Sequence, residues 1–152
     1  MTILVCNTPF DPWQALARHQ AALEQRGRYG ATACFVGTLR DFNEGATVAA
    51  MRLEHYPGMT EKYLDAICAE AAQRWPIIDA LIVHRVGEVT PNDTLVLTAV
   101  WAAHRAEAFA ACRYLIEELK TRAPFWKQET LEQGTRWVEH NTPASDQAHA
   151  AE

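Results

Sequence analysis

The chain opens on a short apolar run, Thr2–Cys6, that predicts a strand. Asp11-Pro12 reads as an N-cap followed by proline at the first helical position, and the helix it starts is expected to reach about Arg26 and stop near Gly27. Tyr29–Leu39 is rich in small and β-favouring residues and predicts a strand. Asp41–Ala46, holding Asn43 and Gly45, predicts a polar loop, and Thr47–His55 alternates well enough for another strand. After the Pro57-Gly58 turn, Tyr63, Leu64, Ile67, Cys68, Ala71 and Trp75 recur at helical spacing, giving an amphipathic helix from Thr60 that ends at Pro76. Ile77–Val86 and Thr94–Ala102 predict two strands that pair around Thr90-Pro91-Asn92-Asp93.

His104 to about Thr121 gives the clearest helix, with Phe109, Cys112, Ile116 and Leu119 as its apolar stripe; Ala123-Pro124 ends it. Phe125–Thr130 and Thr135–Val138 predict two short strands around Glu132-Gln133-Gly134. Helices between strands, together with adjacent strand pairs, favour an α+β fold over a doubly wound sheet. No linker or internal repeat interrupts the chain, so 1–141 is expected to form a single domain and 142–152 a frayed polar tail.

Composition narrows the partners. The 152 residues are 49% hydrophobic and 22% charged, ordinary for a globular chain and enough to bury a core without staples. The net charge of −5 argues against a general nucleic-acid binder. No apolar run approaches a membrane span and no basic, apolar leader opens the chain, so no membrane is expected and the cytoplasm is the expected location. Cys6, Cys34, Cys68 and Cys112 are widely spaced in apolar segments and read as plain buried thiols. Trp75, Trp101 and Trp137 read as core or interface residues, and Trp126 as either core or pocket wall.

Three basic clusters carry the candidate chemistry: Gly37-Thr38-Leu39-Arg40 at a strand end, His104-Arg105 at a helix start, and Lys120 to Lys127, which holds two of the three lysines. Basic residues at a helix C-terminus suit the macrodipole, but cations at an N-terminus oppose it unless an anion is bound there. A phosphate or carboxylate ligand is therefore expected in an otherwise acidic protein. His55 and His84 lie on strands at no metal-ligand spacing, so no metal is expected. Glu88 and Asp93 flank a turn and read as solvated. Nucleophile-elbow, phosphate-loop and dinucleotide motifs are absent.

These clusters lie within longer recognisable stretches. Leu53-Glu54-His55-Tyr56-Pro57-Gly58-Met59-Thr60-Glu61-Lys62, His84-Arg85-Val86-Gly87-Glu88, Ala103-His104-Arg105-Ala106-Glu107-Ala108-Phe109, Lys120-Thr121-Arg122-Ala123-Pro124-Phe125-Trp126-Lys127 and Arg136-Trp137-Val138-Glu139 resemble, in order, segments of the molybdopterin synthase large (catalytic) subunit family. The similarity runs from about Gly30 to Glu139. It implies an α/β-hammerhead type of fold and a sulfurtransferase of molybdenum cofactor biosynthesis. That enzyme converts cyclic pyranopterin monophosphate into molybdopterin with sulfur from the C-terminal Gly-Gly thiocarboxylate of a small ubiquitin-like subunit. It also implies a homodimer with a small subunit at each end, a heterotetramer, and no cofactor.

By the same resemblance Lys120 meets the partner's C-terminus and polarises the thiocarboxylate or moves a proton, while Lys127 is a second catalytic lysine suited to phosphate or pterin contacts. Thr38, Leu39, Arg40, His104 and Arg105 bind substrate, with Gln128 and Glu129 beside Lys127. Thr38 stands where some relatives carry lysine, and His140-Asn141 where some carry arginine; both departures bear on substrate affinity. Two other readings of the residues are a pocket that only binds a pterin or nucleotide, and a persulfide carrier using its own cysteine. No cysteine adjoins a basic cluster in sequence, which disfavours the carrier. The sixteen residues from His104 to Lys120 span about 24 Å of helix. One pterin phosphate is roughly half that length, so a site using both helix ends is expected to be shared between two copies of the chain.

Overall fold

A computed structural model of the chain describes residues 1–132 and 134–139. Among these the order is β1 (Thr2–Cys6), α1 (Pro12–Ala22), β2 (Ala31–Thr38), β3 (Phe42–Asn43), β4 (Ala46–His55), α2 (Met59–Arg74), β5 (Ile77–Arg85), β6 (Gly87–Val89), β7 (Thr94–Ala102), α3 (Arg105–Arg122), β8 (Phe125–Leu131) and β9 (Gly134–Trp137). The architecture is α+β, as expected. Gln133, His140, Asn141 and the tail 142–152 lie outside the described residues.

A mixed sheet in the order β1-β5-β7-β2 forms the centre; β1 is parallel to β5 and the other pairs are antiparallel. Successive side chains of a strand point to opposite faces. Ala80 and Ile82 accordingly enter one core with Leu64 and Ile67 of α2 and Leu115 and Leu119 of α3. Leu81 and Val83 enter the other, with Leu97, Trp101 and the α1 residues Ala15 and Leu16. Cover on both faces explains why β5 and β7 read as nearly continuous apolar runs. A second, antiparallel sheet runs β3-β4-β8-β9, with β6 also against β4. Leu39, Met51, Leu53, Val86 and Val89, with Phe125 against them, join the two sheets in a small third core.

Local chemistry sets the helix starts. Asp11 Oδ1 accepts from the backbone N–H groups of Trp13 (2.9 Å) and Gln14 (3.1 Å), and Pro12 fills the first helical position. At α2, Gly58 holds φ +81°, and Glu61 reaches back 2.7 Å to its backbone N–H. At its C-terminus α3 stops because Ala123, before Pro124, is extended.

Several expectations are corrected. α1 ends at Ala22 rather than Arg26, because Leu23 turns to an extended conformation and packs on the α1-side core. The supposed loop at 41–46 is a β3–β4 hairpin. Its turn residues Glu44 (φ 49°) and Gly45 (φ 77°) both take positive φ, matching the twist of a tight hairpin. β6 is too short to announce itself by periodicity. Phe109 is 68% exposed, and the buried stripe of α3 uses Ala108 and Ala111 instead. Cys68 and Cys112 are buried, but Cys34 is exposed on β2, the edge strand of its sheet, and Cys6 is only half-buried. Trp101 is core, whereas Trp137 on edge strand β9 is half-exposed.

Candidate active site

The end of α3, the Ala123-Pro124 break and the start of β8 form a tight reversal. Phe125 N–H bonds the Ala123 carbonyl at 2.9 Å, and β8 then pairs with β4, placing Lys127 opposite Leu53. The reversal carries Lys127 back beside Lys120 in the last turn of α3. Both lysines line a cavity of about 330 Å³ where the two sheets meet. Its walls are largely apolar: Phe35 and Val36 of β2, Leu53, Leu95, Leu119 and Phe125. A second, smaller cavity of about 130 Å³ adjoins it across the lysines and is more polar, adding Leu39, Asn43 and Glu129. Thr38, Arg40, Lys120 and Lys127 line both.

Arg40 is the second residue beyond β2. The Leu39 backbone before it is pinned in both directions, its N–H to the Asp93 carbonyl (3.0 Å) and its carbonyl to Asn92 N–H (2.9 Å). The guanidinium lies 4.9 Å over the Phe42 ring. Lys127 is pushed down to about 8, first by burial and then by the charge of Lys120, with Glu129 opposing. Two close lysines and an arginine above apolar walls make an anion receptor that gains from a doubly charged or paired anionic ligand.

Glu129, one alternation beyond Lys127 on β8, is nearly fully buried. It accepts from Arg136 Nε of β9 at 2.9 Å and from Asn43 Nδ2 of β3 at 2.8 Å, and Arg136 also donates to the Asn43 carbonyl at 2.8 Å. This network holds the β3–β4 hairpin over the polar cavity.

The structure therefore brings together Thr38, Leu39, Arg40, Lys120, Lys127 and Glu129. Gln128 falls on the opposite face of β8 and lines neither cavity, as does Trp126, which is half-exposed and neither core nor pocket wall. His104 and Arg105 stand exposed at the far end of α3. One site residue escaped the functional reading of the sequence. His84 of β5 lines the larger cavity, its ring stacked on Phe125 with centroids 3.8 Å apart. The signal was present: a histidine on the same face as Ala80 and Ile82 of a strand otherwise committed to the core. No group of His, Cys, Asp and Glu among the described residues could hold a metal.

A family model described as MoaE protein matches residues 5–122. The molybdopterin synthase catalytic subunit of Ralstonia nicotianae is 51% identical over 138 residues, 91% of this chain and 77% of that protein. A molybdopterin biosynthesis MoaE protein from Burkholderia ambifaria superimposes with a TM-score of 0.78 at 48% identity, covering 97% of this chain and 95% of that one. A Helicobacter pylori complex of subunits 1 and 2 of molybdopterin-converting factor, 16% identical with a TM-score of 0.76, covers 99% of each chain and shares the fold. With the family match spanning most of its length, this chain belongs to the MoaE family, that of the molybdopterin synthase catalytic subunit.

Proposed function

We propose that this chain is the sulfur-transferring subunit of a molybdopterin synthase. In this reading it takes sulfur from the C-terminal thiocarboxylate of a small ubiquitin-like partner and installs the dithiolene on cyclic pyranopterin monophosphate. The observation that carries it is the lysine pair, with Arg40, on an apolar-walled cavity that no cysteine lines among the described residues. Such a site supplies charge and proton management, and the sulfur comes from elsewhere. The thiocarboxylate sulfur displaces an oxygen substituent from a substrate carbon, so that a C–S bond forms as a C–O bond breaks and a thioester results; a second thiocarboxylate repeats the exchange at the neighbouring carbon. Water then breaks the acyl–sulfur bond, leaving sulfur on the pterin and a carboxylate on the tail. Lys120 polarises the tail carbonyl and Lys127 meets the phosphate or pterin. The cationic side chains shared by the two cavities suit an anionic pterin and the carboxyl end of a thin Gly-Gly tail.

The working unit in this reading is a two-fold dimer with a small subunit at each end, in the cytoplasm. His104 and Arg105 are a helix length from Lys120, so they serve the neighbour's site. Exposed Phe35 and Phe109 beside the edge of β2, unpaired among the described residues, supply an apolar surface for self-association. Incubation with a thiocarboxylated small subunit and the cyclic pterin is expected to yield dithiolene product. No product with a partner shown to bind would refute the reading.

A further inference from the structure

His84 is turned by its surroundings into a one-sided group. Its Nδ1 lies 2.8 Å from the Arg85 carbonyl, an acceptor only, so Nδ1 carries the proton. One ring face is covered by Phe125 at an interplanar angle of 13°. What the neutral ring has left to offer is the Nε2 lone pair, and the ring lines the lysine cavity. Phe125 and Lys127 are two residues apart on β8, so their side chains share a face, and the ring that stacks on Phe125 lines the same cavity as Lys127 and feels its charge.

We propose that His84 is a positioning residue for the lysine pair, its Nε2 lone pair accepting from the Lys127 ammonium and holding it on the cavity side of β8. The charged and titratable groups acting on the ring are Lys127 of β8, Lys120 of α3 and His55 of β4, whereas the Arg85 guanidinium of its own strand is bound to the Val86 and Glu88 carbonyls. A protonated imidazole there would repel the lysines. Burial foremost, then these charges, push His84 down to about 4, so it stays an acceptor at neutral pH while the backbone bond to Arg85 only partly opposes the shift. Lys127 is itself buried and beside another ammonium. A neutral acceptor there would add to Glu129 in favouring its charged form for an anionic ligand. The assignment deepens the sulfur-transfer reading and rests on it only for its effect on turnover.

The test is an NMR titration of the whole chain labelled at the lysine side chains and the histidine ring nitrogens. The expected results are an Nδ1–H tautomer for His84 at neutral pH and a Lys127 midpoint near 8. His84→Phe, which keeps the stack and removes the acceptor, is expected to lower the Lys127 midpoint by about one pH unit. His84→Gln, with an amide near the Nε2 position, restores most of it. The alkaline limb of sulfur transfer moves down with the midpoint in H84F and returns in H84Q. An unmoved Lys127 midpoint in folded H84F would overturn the assignment. If H84F does not fold, Lys127→Ala probes the contact from the other side and is expected to raise the His84 midpoint. An unmoved His84 midpoint, or an Nε2–H tautomer in the unaltered protein, overturns it equally. These signals need no turnover, so an inactive protein would refute sulfur transfer without touching the His84 assignment.

Discussion

Lys127 stands between opposing influences: burial and Lys120 favour its neutral form, while Glu129 favours the ammonium. Its charge falls away as pH rises through about 8, so affinity for an anionic pterin is expected to decline above that pH, roughly tenfold per pH unit once the amine is neutral. Substrate binding followed against pH checks this; affinity flat across the range would contradict it. Glu129 also carries structural weight, because Glu129→Ala leaves Arg136 and Asn43 without their buried acceptor. A stability loss of roughly 2–4 kcal/mol is expected in denaturant unfolding, with Lys127 pushed further down. His84 adds an acid limit. Its folded value of about 4 lies below its ordinary 6.5, so the unfolded chain binds the proton first as pH falls. The stability it contributes is complete above 6.5 and is lost progressively down to about 4, on the order of 3 kcal/mol. Urea midpoints measured over that interval should flatten in H84Q.

At the scale of elements, Asp11 both caps α1 and is exposed, so its role is separable from packing. Asp11→Ala is expected to cost about 1 kcal/mol and fray the first turn, visible as a lower urea midpoint with an unchanged slope. That helix start was legible because Asp-Pro is a local signal, and β7 was legible over its full length because a strand buried on both faces is apolar throughout. The end of α1 was not legible. Glu24, Gln25 and Arg26 continue a helical composition, and only the tertiary pull on Leu23 stops it. The β3–β4 hairpin was hidden because its positive-φ pair begins with Glu44 rather than asparagine or aspartate. Phe109 misled because hydrophobicity weighs one phenylalanine above two alanines, whereas the helix packs closely through Ala108 and Ala111. Within the site, Arg40, Lys120 and Lys127 were legible as basic clusters and as motif residues. His84 was hidden because a buried histidine in a strand looks alike whether it faces a core or a cavity. Gln128 was misplaced by a sequence neighbourhood that β alternation divides between two faces.

At the scale of the whole molecule, a net charge of −5 coexists with a cationic cavity, which concentrates the anion-binding potential in one place. The length of α3 separates His104 and Arg105 from that cavity, so completion of the site by a second copy is a geometric expectation. Mixing the inactive proteins Arg105→Ala and Lys120→Ala under subunit exchange should recover part of the activity, because a mixed dimer carries one intact site. No recovery despite proven exchange would confine the site to one chain. The central claim is that this chain manages charge and protons around sulfur that a partner supplies. The most direct measurement is single-turnover sulfur transfer from a thiocarboxylated small subunit to cyclic pyranopterin monophosphate, comparing Lys120→Ala with a variant lacking all four cysteines, each shown to be folded and to bind the small subunit. The expected result is a loss of at least about 100-fold in K120A and near-normal transfer without cysteines. Abolished transfer in the folded cysteine-free protein, with K120A still active, would contradict the account.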